Sequence, residues 1–266
     1  MSKKVILAFS GGLDTSFCVP YLIDQGYEVH TLFVNTGGIS AKEELAITKR
    51  ANELGAKKHI NLNVEKSLWS EILIPLVQSG ALYQNKYPAL CSDRYLIVKE
   101  SIKLCKKLNT NNVAHGCTGM GNDQIRFDLS IRAHGKYNII TPIREIQNIT
   151  KNVRAYEEDY LRDKGFKVSS LNKKYSINEN LMGATISGSE IDEWKVPSSE
   201  SFVLCKLPHQ YPKKSKTLKI KFLRGKVISI NDKKMQGADF LKILNNLGGS
   251  FGIGRSVFSS DTIIGL

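Results

Sequence analysis

Apolar positions in the first half of the chain alternate between two rhythms. Val5–Phe9 and Val29–Asn35 are short, largely apolar runs with the length of strands buried on both faces. Between them a helical pattern covers Thr15–Gln25 and stops at Gly26. Pro20 lies inside it and removes a helix hydrogen bond, so a kink or a late start is expected. The Thr36-Gly37-Gly38 turn leads to a helix over Ala41–Leu54, with Ile47, Ala51 and Leu54 on one face and Gly55 as its stop. His59–Val64 reads as a third strand, and Leu68–Val77 as a helix broken by Pro75. Asp93–Leu108 carries an apolar stripe at Val98, Ile102, Cys105 and Leu108; Asn112–His115 and Tyr137–Thr141 read as strands four and five. Strands alternating with helices predict a parallel α/β sheet.

The rhythm changes near Lys164. The stretch from Lys167 to Tyr175 is polar and irregular, which divides the chain into a first domain over 1–168 and a second over 169–266. Thr217–Phe222 alternates with period two and Val227–Ile230 continues after Gly225. That pattern predicts antiparallel strands with Lys219 and Lys221 on a wet face and Leu218, Ile220 and Phe222 on a dry one. Gly237–Leu247 reads as a short helix stopped by Gly248-Gly249. The glycine-rich Gly248–Gly254 follows a helix rather than a strand, and so reads as a connection.

Bulk composition narrows the classes. With 266 residues, 41% hydrophobic and 24% charged, the chain is long enough for a sizeable core, and no apolar run approaches a membrane span. The apolar stretch after Met1-Ser2-Lys3-Lys4 is too short for a secretory signal. The five cysteines are odd in number and form no Cys-x-x-Cys pair, which argues against a disulfide framework or a thiolate zinc site and predicts a reducing cytoplasm. The net charge of +13 is spread along the chain, except that Lys206–Lys234 sets ten basic residues against Asp232 alone.

The chemistry concentrates in two glycine-containing segments. Ser10-Gly11-Gly12-Leu13-Asp14-Thr15-Ser16 follows the first strand and opens the first helix. A helix N-terminus offers unpaired N–H groups and a positive dipole end, which suit a phosphate. The loop has no Walker-type lysine and no three-glycine dinucleotide pattern. It resembles the loop of enzymes that split ATP into AMP and pyrophosphate, with hydroxyls on phosphate oxygens and Asp14 as a candidate magnesium ligand. The second segment, His115–Arg126, follows the fourth strand and so belongs to the same carboxyl edge of the sheet. It mixes Thr118, Asn122, Asp123 and Arg126, the donors, acceptors and charges of both signs that a free amino acid requires.

Five segments in order make the chain similar to the argininosuccinate synthase family. They are Ser10–Ser16; Ala81–Tyr87 with Ser92; His115–Arg126 with Phe127; Thr141-Pro142-Ile143-Arg144-Glu145; and Tyr175–Leu181. The resemblance implies an adenine nucleotide alpha-hydrolase-like, Rossmann-like domain followed by an incomplete α+β synthetase domain. It implies ATP-dependent joining of citrulline to aspartate through a citrullyl adenylate, with magnesium accompanying ATP. Carried over, Ala8, Phe9, Ser10, Gly11, Gly12, Leu13, Asp14, Thr15, Ser16, Val34 and Gly116 would hold ATP. Tyr87, Ser92, Asn122, Arg126, Ser176 and Thr185 would hold citrulline, and Thr118, Asn122 and Asp123 aspartate. Asp14, Asp123 and Arg126 would position the reactants, with no side-chain nucleophile. Without the resemblance, Ser92 also reads as a helix N-cap.

Thr185 stands where the family usually has Ser, and Ser260 near a position where many members have Glu. The family also continues past Leu266, from which reduced turnover is an expectation. The family's homotetramer is the expected assembly, and neither a membrane nor nucleic acid is an expected partner. Two rival readings remain: an ATP-splitting enzyme acting on transfer RNA through Lys206–Lys234, and a non-catalytic nucleotide-binding remnant.

Overall fold

A computed structural model describes residues 3–82, 85, 90–119, 121–168, 174–193, 195–235 and 237–258. The first half forms five parallel strands in the order β3-β2-β1-β4-β5: β1 (Lys3–Ala8), β2 (Tyr27–Asn35), β3 (Lys58–Asn63), β4 (Asn112–Ala114) and β5 (Asn138–Ile140). Every pairing is parallel, with Val5 opposite Val29 and Leu7 opposite Ala114. The α/β expectation is met, with strand ends displaced by a residue or two.

The helices between the strands are α1 (Leu13–Asp24), α2 (Ala41–Glu53), α3 (Glu65–Ser67), α4 (Ile74–Ser79), α5 (Asp93–Leu108), α6 (Asn122–Ala133), α7 (Pro142–Gln147) and α8 (Val153–Asp163). α2 starts with a capping box in which Ser40 and Glu43 each satisfy the other's backbone N–H, and Gly55 follows it at φ +89°. Pro20 neither delays nor ends α1, which begins earlier than predicted and continues through the proline. Pro75 does mark a change. A π-helical stretch, Leu68–Leu73, precedes it and runs without a break into α4, so Pro75 lies within one continuous helical run and the widened turn before it accommodates the missing N–H.

Two apolar layers cover the sheet. Phe17, Val19 and Leu22 of α1 pack with Ile143, Ile146 and Leu161 on one face. Phe17, Tyr21, Tyr156 and Tyr160 form an aromatic ladder between α1 and α8, and Arg154 and Lys164 lie near Asp14 and Asp24 respectively. α8 therefore runs parallel to α1, its N-terminal end beside the first turn of α1. On the other face Leu96, Val98 and Ile102 of α5 pack with Leu68, Leu73, Phe127 and Ile131.

The second half joins this second layer directly. β6 (Ser176–Asn180) and β7 (Gly183–Ser187) form an antiparallel hairpin. Leu181 at its turn is 1% exposed within the core built from α5 and the sheet, and its N–H donates to the Thr36 carbonyl at 2.9 Å. A Cβ on Gly38 would stand 2.2 Å from the Glu179 carbonyl oxygen, so this approach requires glycine. β8 (Ile220–Leu223), β9 (Lys226–Ile230) and β10 (Lys233–Lys234) make a second antiparallel sheet under α9 (Ala238–Ser250). Phe240 of α9 meets Trp69 edge-on, with 6.4 Å between ring centroids.

Two local expectations are corrected. α9 runs through Gly248-Gly249 instead of stopping there; Gly249 lies against the Leu204 carbonyl, whose approach leaves no room for a side chain. Phe222 is not on the dry face. The β8–β9 register shifts between Lys221 and Phe222, and this bulge leaves the ring 60% exposed. Lys219 and Lys221 are exposed as predicted and both pair with Asp232. No helix among the described residues is long and apolar enough to cross a membrane.

Candidate active site

β1 lies between β2 and β4, so the chain leaves neighbouring β1 and β4 toward helices on opposite sides. Diverging connections open a crevice at the carboxyl edge of an open α/β sheet. Both predicted segments are there. A Cβ on Gly116, just after β4, would come within 3.1 Å of Thr15 Cγ2 and 3.3 Å of the Thr15 nitrogen. The exit from β4 thus rests on the loop that leaves β1.

The loop is loosely tied. Ser10 N–H donates to Thr15 Oγ1 at 3.3 Å, Gly12 N–H to Ser10 Oγ at 3.4 Å, and Ser16 Oγ to the Gly11 carbonyl at 3.4 Å. These lengths are at the weak end for hydrogen bonds, leaving the hydroxyls able to turn toward a better acceptor. Gly11 holds φ +75° against Ile47, and Gly12 at the N-cap of α1 has no side chain to satisfy the first turn. An uncapped N-terminus is the arrangement that receives phosphate oxygens. Arg50 of α2 donates to Ser16 Oγ at 3.3 Å and brings a cation to the loop, a residue the sequence reading did not select. Asp14 lies toward α8, where burial raises its carboxyl pKa and Arg154 pulls the other way. Glu157 is 2% exposed, has an unpartnered Oε1, and has its pKa raised to about 8 by burial and by Asp14. Ala8, Phe9 and Val34 are buried strand-end residues, so they can offer a ligand little beyond backbone.

Behind Gly116, His115 is 1% exposed. Its Nδ1 accepts the Cys117 N–H at 3.2 Å, which assigns the proton to Nε2, facing Asp128 Oδ1 at 3.0 Å. Arg144 grips both oxygens of Asp128, at 2.8 and 3.0 Å. Burial works against the Asp128 charge, but His115 and Arg144 outweigh it and hold the carboxyl well below its usual range. Burial lowers the His115 pKa. Gln147 accepts the Gly119 N–H at 2.7 Å and fixes the next turn of the segment. Burial pushes the Cys117 thiol up to about 12, which makes it a poor nucleophile at neutral pH.

Asp123 and Arg126 are one turn apart on α6, with Arg126 Nη1 2.8 Å from Asp123 Oδ1. Arg94, the second residue of α5, donates from Nε and Nη2 to Asp123 Oδ2, both at 3.2 Å. Its Nη1 reaches both oxygens of Asp93 at 3.0 Å, and Thr36 Oγ1 donates to Asp93 Oδ2 at 3.3 Å. Thr36, Asp93 and Arg94 were not selected from the sequence; an acid–arginine pair opening a helix reads as ordinary capping and surface charge. Thr118 is exposed in this crevice, with Oγ1 4.0 Å from the position of a Cβ on Gly121, and Asn122 is the first residue of α6.

The residues expected to hold citrulline come from two parts of the chain. Ser92 occupies the N-cap of α5 but makes no capping hydrogen bond, and its buried Oγ has no partner among the described residues. The hairpin register pairs Ser176 with Ser187 and Asn178 with Thr185, so Ser176, Thr185 and Asn180 share a face. Asn180 Nδ2 on that face donates to the Leu90 carbonyl at 2.6 Å, and Thr185 Oγ1 lies 3.8 Å from Cys91 Sγ. Ser92 and the hairpin are thereby neighbours. Tyr87 and Ser260 lie outside the described residues.

The fold and crevice together define an open parallel α/β protein with an uncapped glycine turn at its switch point and a cluster of charged and polar side chains beside it. The family profiles described as arginosuccinate synthase N-terminal HUP domain and arginosuccinate synthase C-terminal domain match residues 4–166 and 175–266. The chain belongs to the argininosuccinate synthase family. It is 48% identical to argininosuccinate synthase of Xanthomonas campestris pv. campestris over all of this chain and 67% of that one. For the enzyme of Hyperthermus butylicus the identity is 36%, covering 99% of this chain and 66% of the relative. The Methanocaldococcus jannaschii enzyme is 35% identical over 100% and 67%. The chain spans about two thirds of the length of these curated relatives.

Proposed function

We propose that the chain carries out the chemistry of its relatives, joining citrulline to aspartate at the expense of ATP. The observation that carries this reading is the contact between Thr15 and Gly116, which sets an uncapped phosphate-type loop against a segment rich in amino-acid-binding groups. ATP would lie along Ser10–Ser16 with Val34 and Gly116 beside it. Citrulline would be held by Tyr87, Ser92, Asn122, Arg126, Ser176 and Thr185, its carboxylate on Arg126. Aspartate would be held by Thr118, Asn122 and Asp123, its ammonium on the carboxylate.

In the first step the ureido oxygen of citrulline bonds to the α-phosphorus, and the bond to the pyrophosphate oxygen breaks. In the second, the bound ammonium of aspartate first gives one proton to solvent, the resulting amine bonds to the ureido carbon, AMP leaves with its oxygen, and the nitrogen releases a second proton to solvent. Both steps require alignment and charge neutralisation rather than a nucleophilic side chain, which is consistent with the protonated state of Cys117.

Magnesium fits as an ion brought by the triphosphate. The described residues contain no group of three or more acidic, His or Cys side chains able to cage a metal, and Asp14, in the first turn of α1, has its carboxyl toward α8 and would contribute one carboxylate to such an ion only on turning to the loop. When bound, the ion would neutralise phosphate charge.

Exchange of labelled pyrophosphate into ATP tests the reading. It is expected with citrulline present and absent without it. Exchange indifferent to citrulline would overturn the reading and favour a different acceptor.

A further inference from the structure

We propose that Arg50 of α2 is a positioning residue for the phosphates of ATP: acting through Ser16, it holds the Gly11–Gly12 peptide with its N–H on the exposed side of the loop. The inference rests on the proposed placement of ATP along Ser10–Ser16.

The peptide between Gly11 and Gly12 has glycine at both ends, so it can turn over with little steric resistance. Its two polar groups point in opposite directions, as in any trans peptide. The Gly11 carbonyl accepts from Ser16 Oγ at 3.4 Å, and Ser16 is 2% exposed. The Gly12 N–H faces the other way, 3.4 Å from Oγ of the exposed Ser10. One side of the peptide is therefore anchored inside, and the other faces the direction from which a phosphate arrives. Turned over, the same peptide would meet a phosphate with a carbonyl oxygen, which repels it, in place of a donor.

At that length Ser16 alone is a weak hold. Arg50 strengthens it. Its Nε donates to Ser16 Oγ at 3.3 Å, so the hydroxyl must turn its own proton elsewhere, and the Gly11 carbonyl is the acceptor it meets. A hydroxyl that accepts from a cation is also a better donor. The relay runs from guanidinium to hydroxyl to carbonyl, and its far end is the outward N–H. Ile47, one turn earlier on α2, lies against Gly11 and keeps the helix close to the loop. An ion pair does not account for the place of Arg50. Its side chain is 19% exposed, and Glu53, its one acidic neighbour among the described residues, stands 3.9 Å from Nη1, beyond hydrogen-bonding reach. Burial works against the guanidinium charge and Glu53 offsets it only in part. For folding alone that is a costly place for a cation.

Calorimetric titrations of the full chain with inorganic pyrophosphate, ATP and adenosine test this. Arg50→Met keeps the apolar stem and cannot donate; it is expected to weaken pyrophosphate and ATP about tenfold, the worth of one hydrogen bond to a charged group, and to leave adenosine within about twofold. Ser16→Ala breaks the same relay one link later and should cost pyrophosphate the same factor. The double variant should bind pyrophosphate within about threefold of either single variant, because one relay cannot be lost twice. Losses that multiply to about a hundredfold would mean two independent contacts and overturn the relay. Unchanged pyrophosphate affinity in Arg50→Met, or an equal loss of adenosine, overturns the inference and leaves the ATP reading standing. If Arg50→Met loses its native circular dichroism it is replaced by Arg50→Gln, whose shorter side chain stops short of Ser16 and must show the same selective loss. Failure of the unaltered chain to bind ATP or pyrophosphate overturns the nucleotide reading, and the inference with it.

Discussion

The imidazole of His115 and the carboxylate of Asp128 meet at 3.0 Å directly behind the glycine that touches the nucleotide loop. The pair links the exit of β4 to α6, and Arg144 completes it from α7. Asp128→Asn should cost about 3 kcal/mol, in the range for breaking a partly buried charged network, because it removes the counter-charge of Arg144 and turns an amide donor toward Arg144 Nη1, while His115 keeps a neutral acceptor. Urea unfolding at pH 7.5 measures it; a cost below the scatter of surface substitutions would show that the network is dispensable.

The same pair makes the stability sensitive to mild acid. The folded pKa of His115 is lowered by burial, so between the unfolded value near 6.5 and the folded value the unfolded chain binds a proton that the folded chain refuses. The contribution of His115 is complete above pH 6.5 and is lost as pH falls. His115→Gln should flatten that part of the stability profile between pH 5 and 7.

Glu157 works in the opposite direction. Its folded pKa of about 8 exceeds the usual value of 4.5, so the folded chain keeps a proton that the unfolded chain gives up. Stability from this group is present below about 4.5 and declines as pH rises toward 8. Glu157→Gln removes the dependence and should stabilise the chain by on the order of 3 kcal/mol at pH 8 while changing little at pH 5. Thermal melts at the two pH values decide it, and an equal shift at both would contradict the assignment.

Ser92→Ala separates folding from binding. The buried hydroxyl has no partner among the described residues, so removing it relieves a desolvation cost and should leave stability unchanged or raise it by about 1 kcal/mol. If the hydroxyl awaits citrulline, the same change should raise the citrulline concentration needed for half-maximal pyrophosphate exchange by roughly tenfold, the worth of one hydrogen bond to a charged or strongly polar group. Loss of stability without a change in the citrulline requirement would make Ser92 a structural residue.

Gly116→Ala probes the crevice at its tightest point. The new methyl would press on Thr15 at 3.1 Å, and relief requires either the loop or β4 to move by a few tenths of an ångström. ATP affinity should fall about tenfold, as expected for a small misplacement of positioned groups, with the melting temperature much less affected. Equilibrium dialysis with labelled ATP measures the first effect.

Much of the crevice was legible because its determinants are local. A strand followed by Ser10-Gly11-Gly12 and a helix signals its geometry through neighbouring residues, and His115–Arg126 does the same after β4. The first three helix–strand exchanges were legible for the same reason, since their periodicity switches cleanly. What escaped depends on contacts between distant positions. Arg94 acquires meaning only because α6 delivers Asp123 to it, 29 positions away in the chain. Glu157 looks like any acid in a charged helix until α8 turns it against Asp14. The hairpin at Ser176–Ser187 received no strand reading from periodicity, because polar residues fill most of it, yet Leu181 at its turn is core. Phe222 misled for the opposite reason: strict alternation fails at a bulge, and nothing in the local residues announces it.

The position of Leu181 has a consequence for how the chain emerges from the ribosome. The layer built by α5, Leu68 and Leu73 is sealed by a residue from the second half, with Leu241 of α9 packed at its margin. The sheet and the Ser10–Ser16 loop lie within the first 168 residues, but one apolar flank of that sheet is covered in part by residues made up to some seventy positions later. Order of synthesis and order of packing therefore differ. The growing chain has an interval in which shielding by a chaperone would matter most, and an end to that interval set by α9 rather than by the polar stretch that divides the sequence.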